Sequence, residues 1–255
     1  MSTVLVTGAD GMVGSAVVTR LRSSGHKVVC LEGDAREPAA VKAALDGVDA
    51  VAHCAAIADP GHEPLAEIFV NNTIATFTVL WTAAEHGVRR FVIASSAHAT
   101  GLSLNPHRPP VDYPITEDTP ADIADPYSMA KQTDENTLRA VCRRFGASGV
   151  ALRLPLVVPP DRRDEMRRWY QSELDVSHGG GWVWVDSRDA AEAFRLALTG
   201  EYEGGHVLLV AAPTTFADRP TAELLPPGQP FFPGHAAPVD TGRARALLGW
   251  RPEHS

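Results

Sequence analysis

The sequence predicts an α/β fold in which helices cover both faces of a parallel β-sheet. Short apolar runs alternate with segments of helical periodicity through most of the 255 residues, an order that builds a doubly wound parallel sheet. Glycine and proline become frequent and the elements become short after residue 158, which indicates a second, smaller lobe. We therefore expect a main sheet domain over residues 1–158 and a small C-terminal lobe over residues 159–255, with strands and helices of the lobe returning to the main domain.

The predicted elements follow one another without internal repeats. Apolar runs predict five strands, at residues 4–6, 27–31, 49–53, 91–94 and 149–156. Helical periodicity predicts four helices, at residues 14–22, 38–46, 64–86 and 126–145. Proline stands at the start of three of these helices, and glycine follows each of them as a stop signal. Asp125 is expected to cap the last helix, which Pro126 opens.

Composition excludes several classes of partner. The net charge is -8 and no run of Lys and Arg forms a basic stripe, so we expect no nucleic-acid partner. No apolar stretch approaches the about 18 residues of a spanning helix, and the start of the chain has no basic segment before its apolar run. We therefore expect neither a membrane segment nor a signal peptide. The three cysteines lack CxxC spacing and predict thiols in the cytoplasm, and the ten histidines lack the spacing of metal ligands.

Three glycines occupy the turn between the first strand and the first helix. Gly8 allows a tight turn, Gly11 lets the backbone approach a pyrophosphate, and Gly14 lets the helix pack closely on the strand. A glycine-rich turn without a ligand is the alternative, and the position after the first strand of a βαβ pattern favours the ligand. The turn therefore predicts a Rossmann-type sheet with a dinucleotide at the helix N-terminus, where Met12 and Val13 also lie.

Two acidic residues follow the second strand. Glu32 stands at its end, where a carboxylate normally holds the adenosine ribose hydroxyls, and Asp34 comes two residues later. Such a carboxylate repels a 2′-phosphate and favours NAD over NADP, although Arg36 lies close enough to weaken this preference. The alternative is that one or both acids are solvated loop residues. The second strand leads almost directly into residues 33–37, so the helix and strand expected there are missing. We therefore predict that the part of the site around the adenine is smaller than usual.

Tyr127 and Lys131 lie four residues apart on a predicted helix and therefore on one face of it. The lysine ammonium beside the phenol is expected to lower the tyrosine pKa and make it a usable proton acceptor. An amphipathic helix that happens to present both residues is the alternative. Ser95 and Ser96 end the fourth strand, where ligands of open α/β sheets bind. One of these hydroxyls can hydrogen-bond a reacting oxygen, which completes a Ser/Tyr/Lys proton-transfer set beside a dinucleotide.

With these motifs the chain resembles the extended short-chain dehydrogenase/reductase superfamily, of the NAD-dependent epimerase/dehydratase type. The resemblance covers nearly the whole chain and includes further segments, which are His53-Cys54-Ala55-Ala56, Asn72 with Thr76, Arg153 with Pro160, Val185-Asp186 with Asp189, and residues 240–252. It implies that Ser96 is the catalytic hydroxyl, because Ser96 stands five residues before Gly101, and that Tyr127 and Lys131 act with it. It also implies a set of cofactor contacts, which comprises Gly8, Gly11, Met12, Val13, Gly14, Glu32, Asp34, Ala55, Ala56, Asn72, Ser95, Tyr127 and Lys131.

A narrower similarity is to the hexuronate dehydrogenases. Those enzymes carry a histidine two residues after the serine pair, as His98 stands here, and hold a substrate carboxylate with arginine near an aromatic pair. The resemblance implies a set of substrate contacts, which comprises Ser96, His98, Arg163 and Arg167. A packed loop histidine and a solvated arginine face are the alternatives. Leu156 replaces an asparagine that nucleotide-sugar members usually carry, which counts against a nucleotide-sugar substrate.

These inferences lead to an NAD(P)-dependent oxidoreductase acting on a small sugar or sugar acid. A nucleotide-sugar epimerase or dehydratase with tightly bound cofactor is the second interpretation, and a non-catalytic dinucleotide sensor is the third. The resemblance also implies a homodimer formed by the helices at residues 64–86 and 126–145. The sequence suggests that these helices carry apolar residues beyond the needs of the core, namely Phe77, Trp81, Leu138 and Val141.

Overall fold

A computed structural model describes residues 1–58, 61, 64–102, 112–172 and 182–254 of the chain. Within these ranges six parallel strands form the main sheet in the order β2-β1-β3-β4-β5-β8. A separate pair of parallel strands, β6 and β7, lies in the C-terminal half. The strands are β1 Thr3–Thr7, β2 Lys27–Cys30, β3 Ala50–His53, β4 Arg90–Ser96, β5 Ser148–Leu154, β6 Leu156–Val158, β7 Trp184–Asp186 and β8 Gly204–Leu209.

Helices connect the strands of the main sheet, as the alternating sequence pattern predicts. The helices are α1 Met12–Ser23, α2 Pro38–Ala43, α3 Leu65–Glu85, α4 Pro126–Phe145, α5 Arg163–Ser172, α6 Ser187–Thr199, α7 Thr221–Leu224 and α8 Gly242–Leu248. Short 3-10 turns at Ala97–Thr100 and Pro160–Arg162 follow β4 and precede α5. None of the helices in the described ranges is long and apolar enough to cross a membrane.

The two faces of the sheet are covered by separate cores, which makes the sheet doubly wound. Val4 and Val6 of β1 point into one core with α1 and α6, whereas Leu5 between them points into the other core with α3 and α4. Adjacent residues of a strand face opposite sides, so a continuous apolar run serves both cores. The predicted α/β class with a Rossmann-type doubly wound sheet is confirmed.

Helix α4 shows how local sequence signals set the bounds of an element. Its first turn is capped by Asp125, whose Oδ1 accepts a hydrogen bond from the Ser128 N–H at 2.7 Å. Pro126 occupies the first turn, where its missing N–H costs nothing, and Gly146 ends the helix in the left-handed conformation with φ +61°. The predicted bounds of this helix are confirmed.

Two sequence predictions about strands meet different outcomes. Residues 31–49 are all described and contain α2 but no strand. The main sheet therefore ends at β2. This agrees with the prediction that no further strand follows β2 in this range. The predicted fifth strand at 149–156 is divided at Pro155, since proline has no N–H to donate to a ladder. Its last residue, Leu156, instead begins β6, which pairs with β7.

The C-terminal part of the chain contributes to both the main sheet and a smaller cluster. Strand β8 extends the sheet by pairing with β5, and α6 packs into the first core. A third apolar cluster lies beside β6 and β7, with Trp184, Phe216 and Tyr170 among its buried members. The rings of Trp184 and Phe216 stack with centroids 4.2 Å apart. The division of the chain at residue 158 remains a prediction.

The apolar surface of α3 and α4 differs from the sequence prediction. Leu138 and Val141 are fully buried in the second core and are not surplus residues, because their face of α4 turns toward the sheet and α3. Phe77 of α3 is exposed as predicted, and the other exposed apolar side chains of the two helices are Leu65, Val70 and Ile74 of α3 and Met129 of α4. Trp81 is half-buried and stacks on Phe77 with centroids 5.4 Å apart.

Candidate functional site

The candidate site lies beyond the carboxyl ends of β1, β3 and β4. Strand β1 has β2 on one side and β3 on the other, so the direction in which the strands are added reverses at β1. A crevice opens at such a reversal point and binds ligands in open α/β sheets. The chain leaves these three strands at Thr7, His53 and Ser96, which brings the predicted motifs to one edge.

The glycine turn between β1 and α1 is closed by contacts that only glycine allows. Gly8 has φ +63°, and an added Cβ there would lie 2.7 Å from the backbone nitrogen of Ala55. An added Cβ on Gly14 would lie 1.9 Å from the carbonyl oxygen of Gly8. The N–H of Gly11 donates to that same oxygen at 3.0 Å. Gly8 and Gly14 therefore hold the turn against α1 and the segment after β3, and Gly11 keeps its outer face open.

The N-terminus of α1 fits the pyrophosphate of a dinucleotide. Gly11 stands at the N-cap, and within the described chain no side chain caps the helix and its first turn holds no acidic residue. The N–H groups of Met12 and Val13 are therefore without intrahelical partners, as in every first helical turn. Gly11 and Met12 are exposed at this end of the helix. Free N–H groups and the helix dipole together favour an anion at this position.

The segment after β3 is held by Thr7 and Asn72. The Thr7 hydroxyl oxygen accepts from the N–H groups of Cys54 and Ala55, each at 3.2 Å. The Asn72 side chain accepts from the Ile57 N–H at 2.7 Å and donates to the Ile57 carbonyl at 3.0 Å. Asn72 thus clamps the segment containing Ala55 and Ala56. Its amide is already paired with Ile57, and the cofactor contact predicted for Asn72 stays a prediction.

The two predicted acids beyond β2 have different surroundings. The single N–H of Arg36 Nε is shared between Asp34 Oδ1 and Oδ2, each at 3.0 Å, and Arg36 Nη2 donates to Oδ2 at 2.6 Å. This pairing lowers the pKa of the Asp34 carboxyl to about 2. Glu32 is exposed and makes no side-chain hydrogen bond to any described residue. Glu32 therefore offers a free carboxylate, whereas Asp34 engages the nearest guanidinium.

Helix α4 brings Tyr127 and Lys131 to the end of β4. Both side chains are buried. Lys131 Nζ donates to the Ala94 carbonyl at 2.9 Å and lies 5.9 Å from the centroid of the Tyr127 ring. The predicted i, i+4 pair is therefore on one face of the helix, with its ammonium anchored on β4. A third charged side chain, Asp134, lies with its Oδ2 3.8 Å from Nζ, a contact that the sequence reasoning did not identify.

The two serines at the end of β4 face opposite sides of the strand. Ser95 Oγ donates to Glu135 Oε1 at 2.7 Å, and Glu135 forms a buried ion pair with Arg153 at 2.9 Å. Ser96 Oγ accepts from the His98 N–H at 3.1 Å, which leaves its own hydrogen free to donate. The Ser96 hydroxyl is therefore the one suited to a reacting oxygen. The Ser95 side chain is occupied by its hydrogen bond to Glu135. The cofactor contact predicted for Ser95 would therefore have to come from its backbone.

His98 lies beside the Tyr127 phenol. Its ring meets the Tyr127 ring edge to face, with centroids 5.8 Å apart. Burial lowers the pKa of His98 to about 4, although Asp125 opposes this shift, so the imidazole is neutral at neutral pH. His98 Nδ1, Asp125 Oδ2 and Ser128 Oγ are buried without a hydrogen-bond partner in the part of the chain that the structure describes. Such atoms indicate a place for a polar ligand or water.

The two predicted substrate arginines on α5 are unequal. Arg163 is half-buried, and its guanidinium lies 4.6 Å from the centroid of the Trp184 ring, an arrangement that holds the charge in place. Arg167 is exposed. Trp184 Nε1 is buried and has no partner among the described residues. The contact of Trp184 with Arg163 could not be predicted from the sequence, because it depends on the pairing of β6 with β7.

Comparisons with known proteins agree with this geometry. A model described as the NAD dependent epimerase/dehydratase family matches residues 4–211. The chain is 27% identical to uronate dehydrogenase of Agrobacterium fabrum, over 69% of this chain and 70% of that protein. It is 24% identical to UDP-glucose 4-epimerase of Corynebacterium glutamicum, over 99% of this chain and 91% of that protein.

The fold is also that of a solved structure. A short-chain dehydrogenase/reductase superfamily protein from Agrobacterium tumefaciens, with bound NAD, superposes on this chain with a TM-score of 0.77 at 24% identity. The match covers 99% of this chain and 93% of the other. At this level of identity, the likeness shows that the two chains share the fold.

Proposed function

Because this chain belongs to the NAD-dependent epimerase/dehydratase family, we propose that it oxidises a small sugar or sugar acid with NAD. The predicted family, the enzyme class and NAD as cofactor are confirmed by this membership. The observation that carries the proposed reaction is the grouping of Ser96, Tyr127 and Lys131 at the carboxyl end of β4. These residues supply the hydroxyl, the phenol and the ammonium that proton transfer at a substrate alcohol requires.

The chain offers matching groups for the parts of a dinucleotide. The uncapped N-terminus of α1 would hold the pyrophosphate. Glu32 beyond β2 would accept hydrogen bonds from the adenosine ribose hydroxyls. Lys131, anchored on Ala94, would bind the nicotinamide ribose. When bound there, NAD supplies the hydride acceptor of the oxidation.

The side chains at the end of β4 divide the proton chemistry between them. Ser96 donates its free hydrogen to the substrate oxygen and orients it, since its Oγ already accepts from the His98 N–H. Tyr127 accepts the hydroxyl proton of the substrate as the carbonyl forms. The Lys131 ammonium stabilises the Tyr127 phenolate that acts as this proton acceptor, and the phenolate becomes the neutral phenol when it takes up the proton. Neutral His98, with a buried Nδ1 that has no hydrogen-bond partner among the described residues, hydrogen-bonds the substrate and fixes its position.

A small and acidic substrate is supported by the C-terminal half. The guanidinium of Arg163 lies against the Trp184 ring, and a guanidinium suits a sugar carboxylate. Leu156 gives an apolar side chain at the start of β6, where nucleotide-sugar members of the resembling family usually carry asparagine. The uronate dehydrogenase relative fits this substrate class.

A nucleotide-sugar epimerase or dehydratase is the second candidate function. The specific observation in its favour is the UDP-glucose 4-epimerase relative, which aligns over 99% of this chain. The two candidates differ in what becomes of the cofactor. A dehydrogenase releases reduced NAD at each turnover, whereas an epimerase or dehydratase retains the dinucleotide and regenerates it. A non-catalytic sensor would need none of the Ser96, Tyr127 and Lys131 side chains.

We further propose a homodimer and a cytoplasmic location. The exposed apolar side chains of α3, among them Phe77, would pack against those of a second copy, together with Met129 of α4. All three cysteines are free thiols, which suits a reducing compartment.

The proposed function is tested by turnover against three groups of substrates with NAD and with NADP. The groups are hexuronic acids, neutral aldoses and nucleotide sugars. We expect stoichiometric NADH formation with a sugar acid or aldose and none with nucleotide sugars. Conversion of a nucleotide sugar without net NADH would favour the epimerase, and binding of NAD without any turnover would favour the sensor.

A further inference from the structure

A carboxylate lies behind the catalytic lysine and has no part in the function proposed above. Asp134 follows Lys131 by three residues on α4, and both side chains are almost completely buried, with exposures of 3% and 5%. Asp134 Oδ2 lies 3.8 Å from Lys131 Nζ, whereas Oδ1 has no hydrogen-bond partner in the described chain. Burial of a carboxylate is costly unless an opposite charge compensates it. Lys131 is the cation that does so here.

A row of polar side chains connects this ion pair with the glycine turn. The Thr76 hydroxyl of α3 faces the Asp134 carboxylate and lies 3.2 Å from His53 Nε2. His53 Nδ1 in turn lies 2.8 Å from the Thr7 hydroxyl at the end of β1. The ammonium that would bind the nicotinamide ribose and the turn that would bind the pyrophosphate are therefore joined through buried polar contacts.

The charges around the ion pair identify the group that titrates near neutral pH. Burial raises the pKa of Asp134 to about 6, with Lys131 opposing this shift and Glu135 adding to it. From β3, burial and the charge of Lys131 lower the pKa of His53 to about 3, and burial raises the pKa of the Cys54 thiol to about 12. His53 and Cys54 are therefore neutral between pH 5 and pH 8, and Asp134 changes its charge.

We propose that Asp134 is a positioning residue, whose ionised carboxylate holds the Lys131 ammonium in place for the dinucleotide and the phenol. Protonation of Asp134 removes the countercharge of a buried ammonium, so Lys131 is no longer fixed against Ala94. Acidification therefore weakens NAD binding through Asp134. This inference rests on the proposed function, in which Lys131 contacts both the cofactor and Tyr127.

The test is the dissociation constant of NAD between pH 5 and pH 8, measured by calorimetry on the wild type and on Asp134→Asn. We expect the wild-type constant to rise about tenfold from pH 7.5 to pH 5, a usual coupling between two sites. The Asp134→Asn protein is expected to bind about tenfold more weakly at pH 7.5 and to show no further loss at pH 5. A variant with the wild-type affinity and pH profile would overturn the proposal.

Glu135→Gln is the matched control, because it removes a buried carboxylate one residue further along α4. Glu135 contacts Arg153 and Ser95 rather than Lys131, so this variant should keep the acid-dependent loss of NAD affinity. If Glu135→Gln also loses the acid-dependent change in NAD affinity, that change is not specific to Asp134 and the proposal is wrong.

Lys131→Met provides a second variant that does not depend on the folding of Asp134→Asn. Because Asp134 acts through Lys131, the methionine variant should bind NAD weakly and without the acid-dependent loss. A wild-type pH profile in Lys131→Met would overturn the proposal. These binding measurements do not need a substrate. If the protein turns over no sugar, the proposed function is contradicted, whereas the role of Asp134 is still tested by the NAD dissociation constants.

Discussion

At the scale of single residues, the direction of a side chain decides which of two neighbours can act. Ser95 and Ser96 are adjacent in sequence, yet Ser95 is paired with Glu135 and only Ser96 has a hydrogen free to donate at the site. Asp34 and Glu32 differ in the same way, because Asp34 is occupied by Arg36. The sequence identifies both pairs, but the contacts that separate their members come from elements distant in the chain or from a local turn.

The pairing of Asp34 with Arg36 leads to a prediction about the cofactor. The wild type should bind NAD more tightly than NADP, because Glu32 would accept hydrogen bonds from the ribose hydroxyls and the charge of Arg36 is paired with Asp34. Asp34→Ala should release the guanidinium and shift the ratio of the two dissociation constants several-fold toward NADP. Arg36→Ala is the matched control and should leave NADP the weaker ligand. Tighter binding of NADP by the wild type would contradict this account.

At the scale of elements, close packing of α1 on the glycine turn is the feature most sensitive to one added atom. Alanine normally stabilises a helix relative to glycine by up to about 1 kcal/mol. A Cβ on Gly14 would, however, meet the Gly8 carbonyl oxygen at 1.9 Å, a contact that forces the helix away from the turn. Gly14→Ala should therefore lower the melting temperature and weaken NAD binding at least tenfold, a loss of about 1.4 kcal/mol.

Ser15→Ala is the control for this prediction, since Ser15 is exposed on the next residue of the same helix. It should change neither the melting temperature nor the dissociation constant of NAD appreciably. If Gly14→Ala binds NAD with the wild-type dissociation constant, NAD binding does not require the close packing of α1 on the glycine turn, and this prediction is wrong.

The elements also show how far the sequence alone leads. The bounds of α4 and the pairing of Tyr127 with Lys131 are local properties of capping and helical period, and both were predictable. The burial of Leu138 and Val141 was not, because periodicity gives an apolar stripe without saying which neighbouring element covers it. Asp134 escaped notice for the same reason, since its burial depends on α3.

At the scale of the whole molecule, buried titratable groups make stability depend on pH. Burial holds the pKa of His53 near 3 and that of His98 near 4, against 6.5 in the unfolded chain. Unfolding between pH 6 and pH 5 therefore takes up about two protons at these histidines. Asp134 has the opposite sign, because its pKa of about 6 in the native state exceeds the unfolded value of 3.8. It releases about one proton on unfolding, so the net uptake is about one.

The free energy of unfolding should accordingly fall by about 1.4 kcal/mol per pH unit on acidification from pH 6 to pH 5. Asp134→Asn removes the opposing contribution and should make this dependence about twice as steep. Urea denaturation at several pH values measures both slopes. A stability that stays constant or increases on acidification would contradict the placement of the two histidines.

The exposed apolar face of α3 leads to a prediction about assembly. Phe77 is 50% exposed, and Val70, Ile74 and Met129 on the same two helices are also exposed, so a monomer would leave these apolar side chains in water. Light scattering should therefore give the mass of a dimer at micromolar concentration. Phe77→Glu should give a folded monomer, since the side chain contributes little to the core. A monomeric wild type at micromolar concentration would exclude the dimer.

Tyr127 is the residue proposed to take the proton from the substrate, and the variant Tyr127→Phe examines this role without disturbing the cofactor site. The substitution removes one oxygen and keeps the ring contact with His98, so the dissociation constant of NAD should change little. Turnover of the identified sugar should fall by about 10²–10⁴, the usual contribution of a positioned acid or base. The measurement is kcat with that sugar, together with NAD affinity, for the wild type and Tyr127→Phe. A variant that binds NAD normally and retains full turnover would contradict the account.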